Sequence, residues 1–188
     1  IYYINLDKST KRRDFMESQF KKLNIPVSRI SATFGEELDN EFLKDEKRKH
    51  RILAHFPLPN DGEIGICLTH FKLWKFLSKQ PEDFSIIFED DALISDDFFN
   101  DLEQLLSQIT INDFLDISGK KGFYLLEKNE LINKFLIPPV LMIGQIIGRN
   151  AAKKLFNNLG EYYAPIDVMK QDVYKHMVPL YCLLYTSD

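Results

Sequence analysis

Cysteine is scarce in this chain of 188 residues, which contains only Cys67 and Cys182. Two cysteines cannot form the several disulfides that hold a small secreted scaffold together. The length and the hydrophobic fraction of 45% instead suit one ordinary folded domain with a hydrophobic core. A reducing compartment is the simpler assumption for such a chain.

Long apolar runs are also missing, because no stretch of 18 apolar residues occurs in the sequence. We therefore predict that no helix crosses a membrane. No secretory signal peptide is visible. The sequence starts within a predicted strand, and we expect both of its ends to be trimmed. The missing signal peptide is therefore weak evidence about targeting.

Positive charge is not in excess, since 24 Lys and Arg stand against 28 Asp and Glu. A dedicated nucleic-acid-binding protein would be strongly basic, and we exclude that class. The one dense basic segment, 44–51 (KDEKRKHR), is either a solvated helix face or loop, or a contact for an anionic membrane surface or substrate.

Glycine-rich nucleotide signatures are absent too, because neither GxGxxG nor GxxxxGK[ST] occurs. Strand-like and helical segments nevertheless alternate through the first half. Strands are predicted at 1–5, 27–33 and 85–88, and helices around 15–23 and over 63–79. This pattern predicts an α/β fold, a single domain with a mainly parallel central sheet flanked by helices.

The rest of the chain divides in the same way. Helices are predicted over 96–109, over 150–159 and near 167–177. Short strands are predicted at 114–118, at 123–126, within 140–147 and at 180–185. The segment 35–47 is predicted to be a loop with one helical turn, and 50–62 an exposed loop.

An apolar strand, 85–88, runs directly into three carboxylates, Glu89, Asp90 and Asp91. At a separation of ~5 Å and an effective dielectric constant of ~20, each like-charged pair costs roughly 3 kcal/mol. A divalent cation with oxygen ligands would offset that cost. The strand period puts Glu89 and Asp91 on one side and Asp90 on the other. The alternative is the first turn of a helix, which also favours acids.

Three segments lie at the predicted carboxyl ends of strands: Asn5–Asp7, Ala32–Gly35 and Glu89–Asp91. Ligands of open α/β sheets bind outside those ends. We therefore expect the three segments to converge on one binding site.

Five motifs, two of which contain segments already described, follow one another along the chain: 3–9 (YINLDKS), 62–70 (GEIGICLTH), 87–92 (IFEDDA), 144–155 (GQIIGRNAAKKL) and 165–167 (PID). In this order they resemble glycosyltransferase family 25, whose bacterial members build lipooligosaccharide and whose animal members glycosylate collagen. The resemblance extends over about the whole chain, 1–188, as one catalytic domain.

The resemblance implies a GT-A-like fold, a UDP-galactose donor, a divalent metal (Mn²⁺ or Mg²⁺) and inversion to a β-linkage. It implies an acceptor that is a saccharide or lipid-linked oligosaccharide of lipooligosaccharide or lipopolysaccharide biosynthesis. The enzyme would be cytoplasmic, with peripheral contact at the inner face of the cytoplasmic membrane. Gln145 stands where the family usually has tyrosine.

The resemblance also implies roles for the acids. Asp91 is expected to ligate the metal directly, and Glu89 either joins it or, like Asp90, contacts ribose or metal-bound water. Such a metal would neutralise the charge that develops on a leaving diphosphate. The residues expected near the nucleotide are Asn5, Leu6, Arg12, Arg13, Thr33, Glu63 and His70.

Several of these residues have plainer interpretations. Arg12 and Arg13 suit phosphate contacts but also a solvated helix face, and only one is expected to point inward. Thr33 lies near uridine or simply ends a strand. His70 is a cleft residue or a satisfied helix histidine. His176 completes the metal shell or is an ordinary surface residue.

An inverting displacement needs a base on the acceptor side. Asp167 is the expected base because it follows Pro165 at a predicted helix start, where it would otherwise be a helix cap. Asp172 is the second choice.

Other functions remain open. A sugar-nucleotide nucleotidyltransferase would need a glycine-rich basic loop after the first strand, and Asn5–Ser9 has no glycine. A non-catalytic sugar-nucleotide or carbohydrate-binding module would not need the intact acid triplet formed by Glu89, Asp90 and Asp91. Within the family, UDP-glucose is the alternative donor.

Overall fold

The computed structural model describes residues 1–53, 58–119, 123–128, 131–137, 142–158, 165–169 and 179–183. Its strands are β1 (Tyr2–Asn5), β2 (Ser28–Ser31), β3 (Phe84–Glu89), β4 (Phe114–Asp116), β5 (Phe123–Lys128), β6 (Ile132–Ile137), β7 (Gly144–Gly148) and β8 (Leu180–Leu183). Its helices are α1 (Thr10–Lys22), α2 (Asn40–Leu53), α3 (Asp61–Leu77), α4 (Leu102–Ser107), α5 (Arg149–Asn158) and α6 (Ile166–Met169), and a 3-10 turn covers Gly35–Glu37.

The eight described strands form one mixed sheet in the order β2-β1-β3-β7-β4-β8-β6-β5. The pairs β1/β2, β1/β3 and β4/β8 are parallel, and the other neighbours are antiparallel. Following these pairings, β6 and β7 run against the other six described strands. The predicted α/β fold with a mainly parallel sheet and flanking helices is confirmed. The carboxyl ends of β1, β2 and β3 consequently meet at one edge.

Side chains of alternate strand residues enter two separate cores, as the period of two requires. Ile87 faces the helices α3, α5 and α6 and packs in a cluster with Trp74 and Leu155. Ile86 and Phe88 face the other way, where the cluster includes residues of α1 and α4. The sheet is therefore covered on both faces, and its carboxyl edge is left for binding.

Helix α3 begins with a capping box, which fixes its position at that edge. The Asn60 side chain accepts from the Glu63 N–H at 2.9 Å, and the Glu63 carboxylate accepts from the Asn60 N–H at 2.7 Å. Further along, a Cβ at Gly65 would lie 2.5 Å from the Thr33 carbonyl oxygen. Glycine at this position lets α3 lie directly against the chain that follows β2.

The predicted loop at 35–47 is wrong, because α2 begins at Asn40 and continues to Leu53. Asp39 accepts hydrogen bonds from two backbone N–H groups of the first turn. Lys49 pairs with both Asp45 and Glu46 at helical spacing. The dense charge that suggested a loop thus belongs to a helix, in which Arg48 and Lys49 pair with acids one turn earlier, while Lys47 pairs with Asp61 of α3.

Two other boundaries also differ from expectation, and one strand is new. The predicted helix 96–109 is α-helical only from Leu102 to Ser107, because the preceding residues form turns in which Ser95 accepts from the Asp97 N–H. The predicted loop 50–62 overlaps the end of α2 and the start of α3. Strand β6 was not expected. Beyond Met169, the predicted helix 167–177 lies outside the described residues.

Among the described helices, none combines the length and the apolar character needed to cross a bilayer.

Candidate functional site

A cleft of about 230 Å³ opens where β1 and β3 end. Its walls come from the loop after β1, the first turn of α1, the middle of α3 and the acid triplet. The residues that line it are Ile4, Asn5, Leu6, Ser9, Arg12, Ala32, Ile66, Thr69, His70, Glu89, Asp90 and Asp91. Two of the three segments expected to converge, Asn5–Asp7 and Glu89–Asp91, therefore meet here, with Ala32 from the third.

The acid triplet spans the end of β3 and a turn. Strand pairing ends at Glu89, and the Ala92 N–H donates back to the Glu89 carbonyl at 3.2 Å. The strand period therefore does not set the directions of Asp90 and Asp91. Asp90 is held by this chain itself, because its two carboxylate oxygens accept from Asn5 Nδ2 and Arg12 Nη1, each at 2.8 Å.

Arg12 crosses the mouth of the cleft to the acids. Its Nη1 lies 2.8 Å from Asp90 Oδ1 and 3.8 Å from Asp91 Oδ2. The hydrogen bond to Asp90, with the charges of Asp90, Asp91 and Glu89, raises the pKa of Arg12. The guanidinium thus offsets part of the repulsion among the three carboxylates.

Asn5 links the acid triplet to the loop after β1. Its side chain is buried, donates to the Ser9 carbonyl at 3.1 Å and accepts from Arg13 Nε at 3.4 Å. Arg13 also donates to the Asp7 carbonyl at 2.8 Å. Of the two arginines, Arg12 lines the cleft, and Arg13 supports Asn5 from behind.

Thr33 lies beside the cleft and links the segment after β2 to α3 through hydrogen bonds. Its N–H donates to Thr69 Oγ1 at 2.8 Å, and the Thr69 hydroxyl donates to the Gly65 carbonyl at 2.8 Å. Lys72 donates to the Thr33 hydroxyl at 3.0 Å. In this arrangement Ala32, rather than Thr33, lines the cleft, and a contact between Thr33 and a nucleotide stays a prediction.

A second cleft of about 400 Å³ adjoins the first and shares Ile66 and Glu89 with it. Glu63 and Asp167 also contribute carboxylates to it. The described residues that line it are Glu63, Ile66, Glu89, Met142, Pro165, Ile166, Asp167 and Val168. Asp167 lies in the first turn of α6, and one of its oxygens accepts from the Val168 N–H at 2.9 Å.

The two remaining α3 residues lie on different clefts. His70 is 1% exposed, lines the first cleft and has its ring 5.8 Å from that of Trp74. Glu63 lines the second cleft and caps α3. Asp172 and His176 lie outside the described residues, so their expected roles stay predictions. Gln145 is buried in β7 between Ile87 and Asp116.

Sequence reasoning missed Ser9, Ile66 and Thr69 in the first cleft and Met142 in the second. A signal for Ile66 exists, because Glu63, Ile66 and His70 follow one another at spacings of three and four and share one helix face. Ile66 is 48% exposed although it lies in an apolar segment. An isoleucine on the same face as two polar cleft residues is therefore a candidate for the cleft wall.

The acids also allow a test of whether a metal fits. Within the described parts of the chain, no group of three or more His, Cys, Asp or Glu side chains is arranged to hold an ion. Ions such as Mg²⁺, however, commonly bind through one or two carboxylates plus substrate phosphates. Asp91, with its side chain 54% exposed, and Glu89 offer that chemistry. The donor set fits a hard cation that is shared with a diphosphate.

Comparison with known proteins gives one family. The family model described as glycosyltransferase family 25 (LPS biosynthesis protein) matches residues 1–139. Procollagen galactosyltransferase 1-A of Xenopus laevis is 26% identical over 171 residues, covering 84% of this chain and 28% of the relative.

Two further relatives match over shorter stretches. A putative glycosyltransferase of Haemophilus influenzae is 32% identical over 93 residues, covering 48% of this chain and 31% of the relative. The inactive glycosyltransferase 25 family member 3 of Mus musculus is 26% identical over 120 residues, covering 59% and 19%. The chain thus spans less than a third of the length of each of these three relatives.

Proposed function

This chain belongs to glycosyltransferase family 25, and we propose on that basis that it is an inverting, metal-dependent hexosyltransferase. It would move galactose from UDP-galactose to a saccharide acceptor and form a β-linkage. The observation that carries the proposal is the pair of adjoining clefts that share Glu89 and Ile66. One cleft offers groups for a metal–diphosphate, and the other offers a carboxylate for an acceptor hydroxyl.

The first cleft suits the UDP part of the donor. Asp91 and Glu89 would hold Mn²⁺ or Mg²⁺, which when bound supplies positive charge to the leaving diphosphate. Arg12 carries a planar guanidinium that matches phosphate oxygens, and it already lies at the mouth of this cleft. Asn5 keeps Asp90 in position through its 2.8 Å hydrogen bond.

The second cleft suits the acceptor. Asp167 would take the proton from the attacking hydroxyl while that oxygen forms a bond to the anomeric carbon and the bond from this carbon to the UDP oxygen breaks. Attack from the side opposite the leaving group inverts the anomeric configuration. Met142 and Ile166 provide apolar surface for the C–H face of a sugar ring.

The choice of substrates rests on the relatives. The galactosyltransferase relative favours UDP-galactose over UDP-glucose, and the description of the family model favours an acceptor of lipopolysaccharide biosynthesis. An acceptor of that kind would bring the enzyme to the inner face of the cytoplasmic membrane. A second candidate function, a non-catalytic sugar-nucleotide or carbohydrate-binding module, is favoured by the inactive mouse relative.

One screen separates these functions. We expect UDP release from UDP-galactose that depends on Mn²⁺ and increases when a saccharide acceptor is added, with slower release from UDP-glucose. Faster turnover of UDP-glucose would reassign the donor. Binding of UDP-sugars in calorimetry, without release of UDP under any condition, would support the non-catalytic module and refute the transferase.

A further inference from the structure

Arg12 places a positive charge beside the acid triplet of the first cleft. Its guanidinium lies 2.8 Å from Asp90 and 3.8 Å from Asp91. Its side chain is nevertheless 59% exposed, whereas that of Asp90 is 13% exposed. The arginine therefore contacts the acids from the solvent side, and it can leave without unpacking a core.

The two partners of Asp90 differ in burial. Asn5 is 1% exposed and is fixed by Ser9 and Arg13, so its hydrogen bond to Asp90 belongs to the rigid edge of the sheet. Arg12 belongs to an exposed position of α1 and has a long side chain. Asp90 is thus a fixed anchor, and Arg12 is the partner that can exchange.

We infer that Arg12 is a resident counter-cation that blocks binding of a free divalent metal and yields only when a nucleoside diphosphate arrives with it. This inference rests on the proposed function. A guanidinium beside Asp91 repels a doubly charged ion and competes for the same oxygens. A diphosphate changes this balance, because it offers the guanidinium a bidentate partner outside the acid triplet.

The inference predicts effects of opposite sign for the loss of one side chain. Without Arg12, the metal alone binds more tightly, because its competitor is gone. The nucleotide binds less tightly, because a phosphate contact is gone. A merely structural role for Arg12 would weaken both, since a disturbed cleft offers neither ligand a better site.

The test is a titration of the 188-residue chain with Mn²⁺, followed by the electron paramagnetic resonance signal of the free ion. We expect Arg12→Gln to bind Mn²⁺ alone at least about fivefold more tightly than the unaltered chain. Lys22→Gln is the matched control, because Lys22 is on the same helix and pairs with the exposed Asp96 away from the cleft. It changes net charge equally and should stay within about twofold.

The same titration with UDP present completes the design. UDP should raise Mn²⁺ affinity by about tenfold or more in the unaltered chain and by clearly less in Arg12→Gln. Arg12→Lys keeps the positive charge and should resemble the unaltered chain in Mn²⁺ alone. Circular dichroism melting verifies that each variant is folded.

Each remaining outcome is decisive. An Arg12→Gln affinity for Mn²⁺ alone that equals or falls below that of Lys22→Gln overturns the inference, as does an Arg12→Lys affinity equal to that of Arg12→Gln. If either result is obtained while UDP still raises the Mn²⁺ affinity of the unaltered chain, the proposed function stands. Absence of Mn²⁺ binding in every variant, with and without UDP, removes the metal from the proposed function and the inference with it.

Discussion

Asp91 differs from Asp90 in that no hydrogen bond among the described residues holds its carboxylate; its nearest described cation is 3.8 Å away. Its side chain is also 54% exposed, so a ligand reaches it without displacing the sheet. Asp90, in contrast, is held by Asn5 and Arg12. Within the triplet, Asp91 is thus available to a ligand, whereas Asp90 is bound to residues that form the cleft.

Asp91→Ala is expected to abolish both UDP-sugar turnover and its dependence on Mn²⁺, because the exposed carboxylate is the expected metal ligand. The melting temperature should change little. UDP release with and without Mn²⁺ measures the effect, and Asp96→Ala, which removes an exposed acid paired with Lys22, is the control. Turnover that persists in Asp91→Ala contradicts the metal role.

Asp167→Asn should leave UDP binding intact and reduce transfer by a factor of about 10² or more, since an amide cannot accept the proton of the attacking hydroxyl. The asparagine can still accept the Val168 N–H, so α6 should be kept. Calorimetry with UDP and transfer to a saccharide acceptor are measured on the same sample. A normal transfer rate would move the base to Asp172 or another acid.

The stability of the fold depends on the ionisation of Tyr3 at alkaline pH. Burial and the 2.9 Å hydrogen bond to Glu17 raise the pKa of Tyr3 to about 12. Because the folded pKa lies above the unfolded value of about 10, this stabilisation is complete below about pH 10 and is lost as the pH rises towards 12.

When the pH is raised from about 9 to about 11, the free energy of unfolding should fall by about 1 kcal/mol less in Tyr3→Phe than in the unaltered chain. Urea unfolding followed by circular dichroism at the two pH values measures this difference. An equal loss in both proteins would show that the phenol does not titrate with folding.

Among the elements, those with strong apolar periodicity could be predicted from the sequence. The strand at 85–88 and the helix at 63–79 are confirmed within a few residues as β3 and α3. Helix α2 was not predicted because charged residues dominate its segment. A cap and ion pairs support the helix, and Leu43 packs in the core. The segment before α4 carries helix-like spacing, but serine and aspartate side chains there stabilise turns.

Gly65→Ala is expected to destabilise the protein by more than about 1 kcal/mol, because a Cβ would meet the Thr33 carbonyl at 2.5 Å. The clash would push α3 away from β2 and should also weaken UDP binding. Gly62→Ala is the matched control in the same helix, where the nearest atom is the Asn60 side-chain oxygen at 3.1 Å. A smaller loss in Gly65→Ala than in Gly62→Ala would contradict this packing.

For the whole molecule, the carboxyl edge of the sheet could be predicted as the binding region, but the contacts within it could not. The hydrogen bond between Asn5 and Asp90 joins residues 85 positions apart. It exists because β1 lies beside β3 in the sheet, and strand order is a property of the assembled fold. The motifs contain most of the residues that line the first cleft, whereas the lining of the second cleft also includes Met142 from the segment before β7.

Mn²⁺ and UDP together should raise the melting temperature more than the sum of their separate effects, because each completes the site of the other. Ligands that bind only the folded state stabilise it by about 2.7 kcal/mol at a hundredfold excess over the dissociation constant. Differential scanning calorimetry with each ligand alone and with both measures the coupling. Strictly additive shifts would argue against a shared site.

Ile66 forms part of the boundary between the two clefts, and this has a consequence for how specificity can evolve. Under the proposed function, a larger or smaller side chain there alters the KM for the donor and the KM for the acceptor in a single step. Met142 lines the second cleft and is not among the described residues of the first, so it is free of that constraint. New acceptor preferences in this lineage should therefore arise more readily at Met142 than at Ile66.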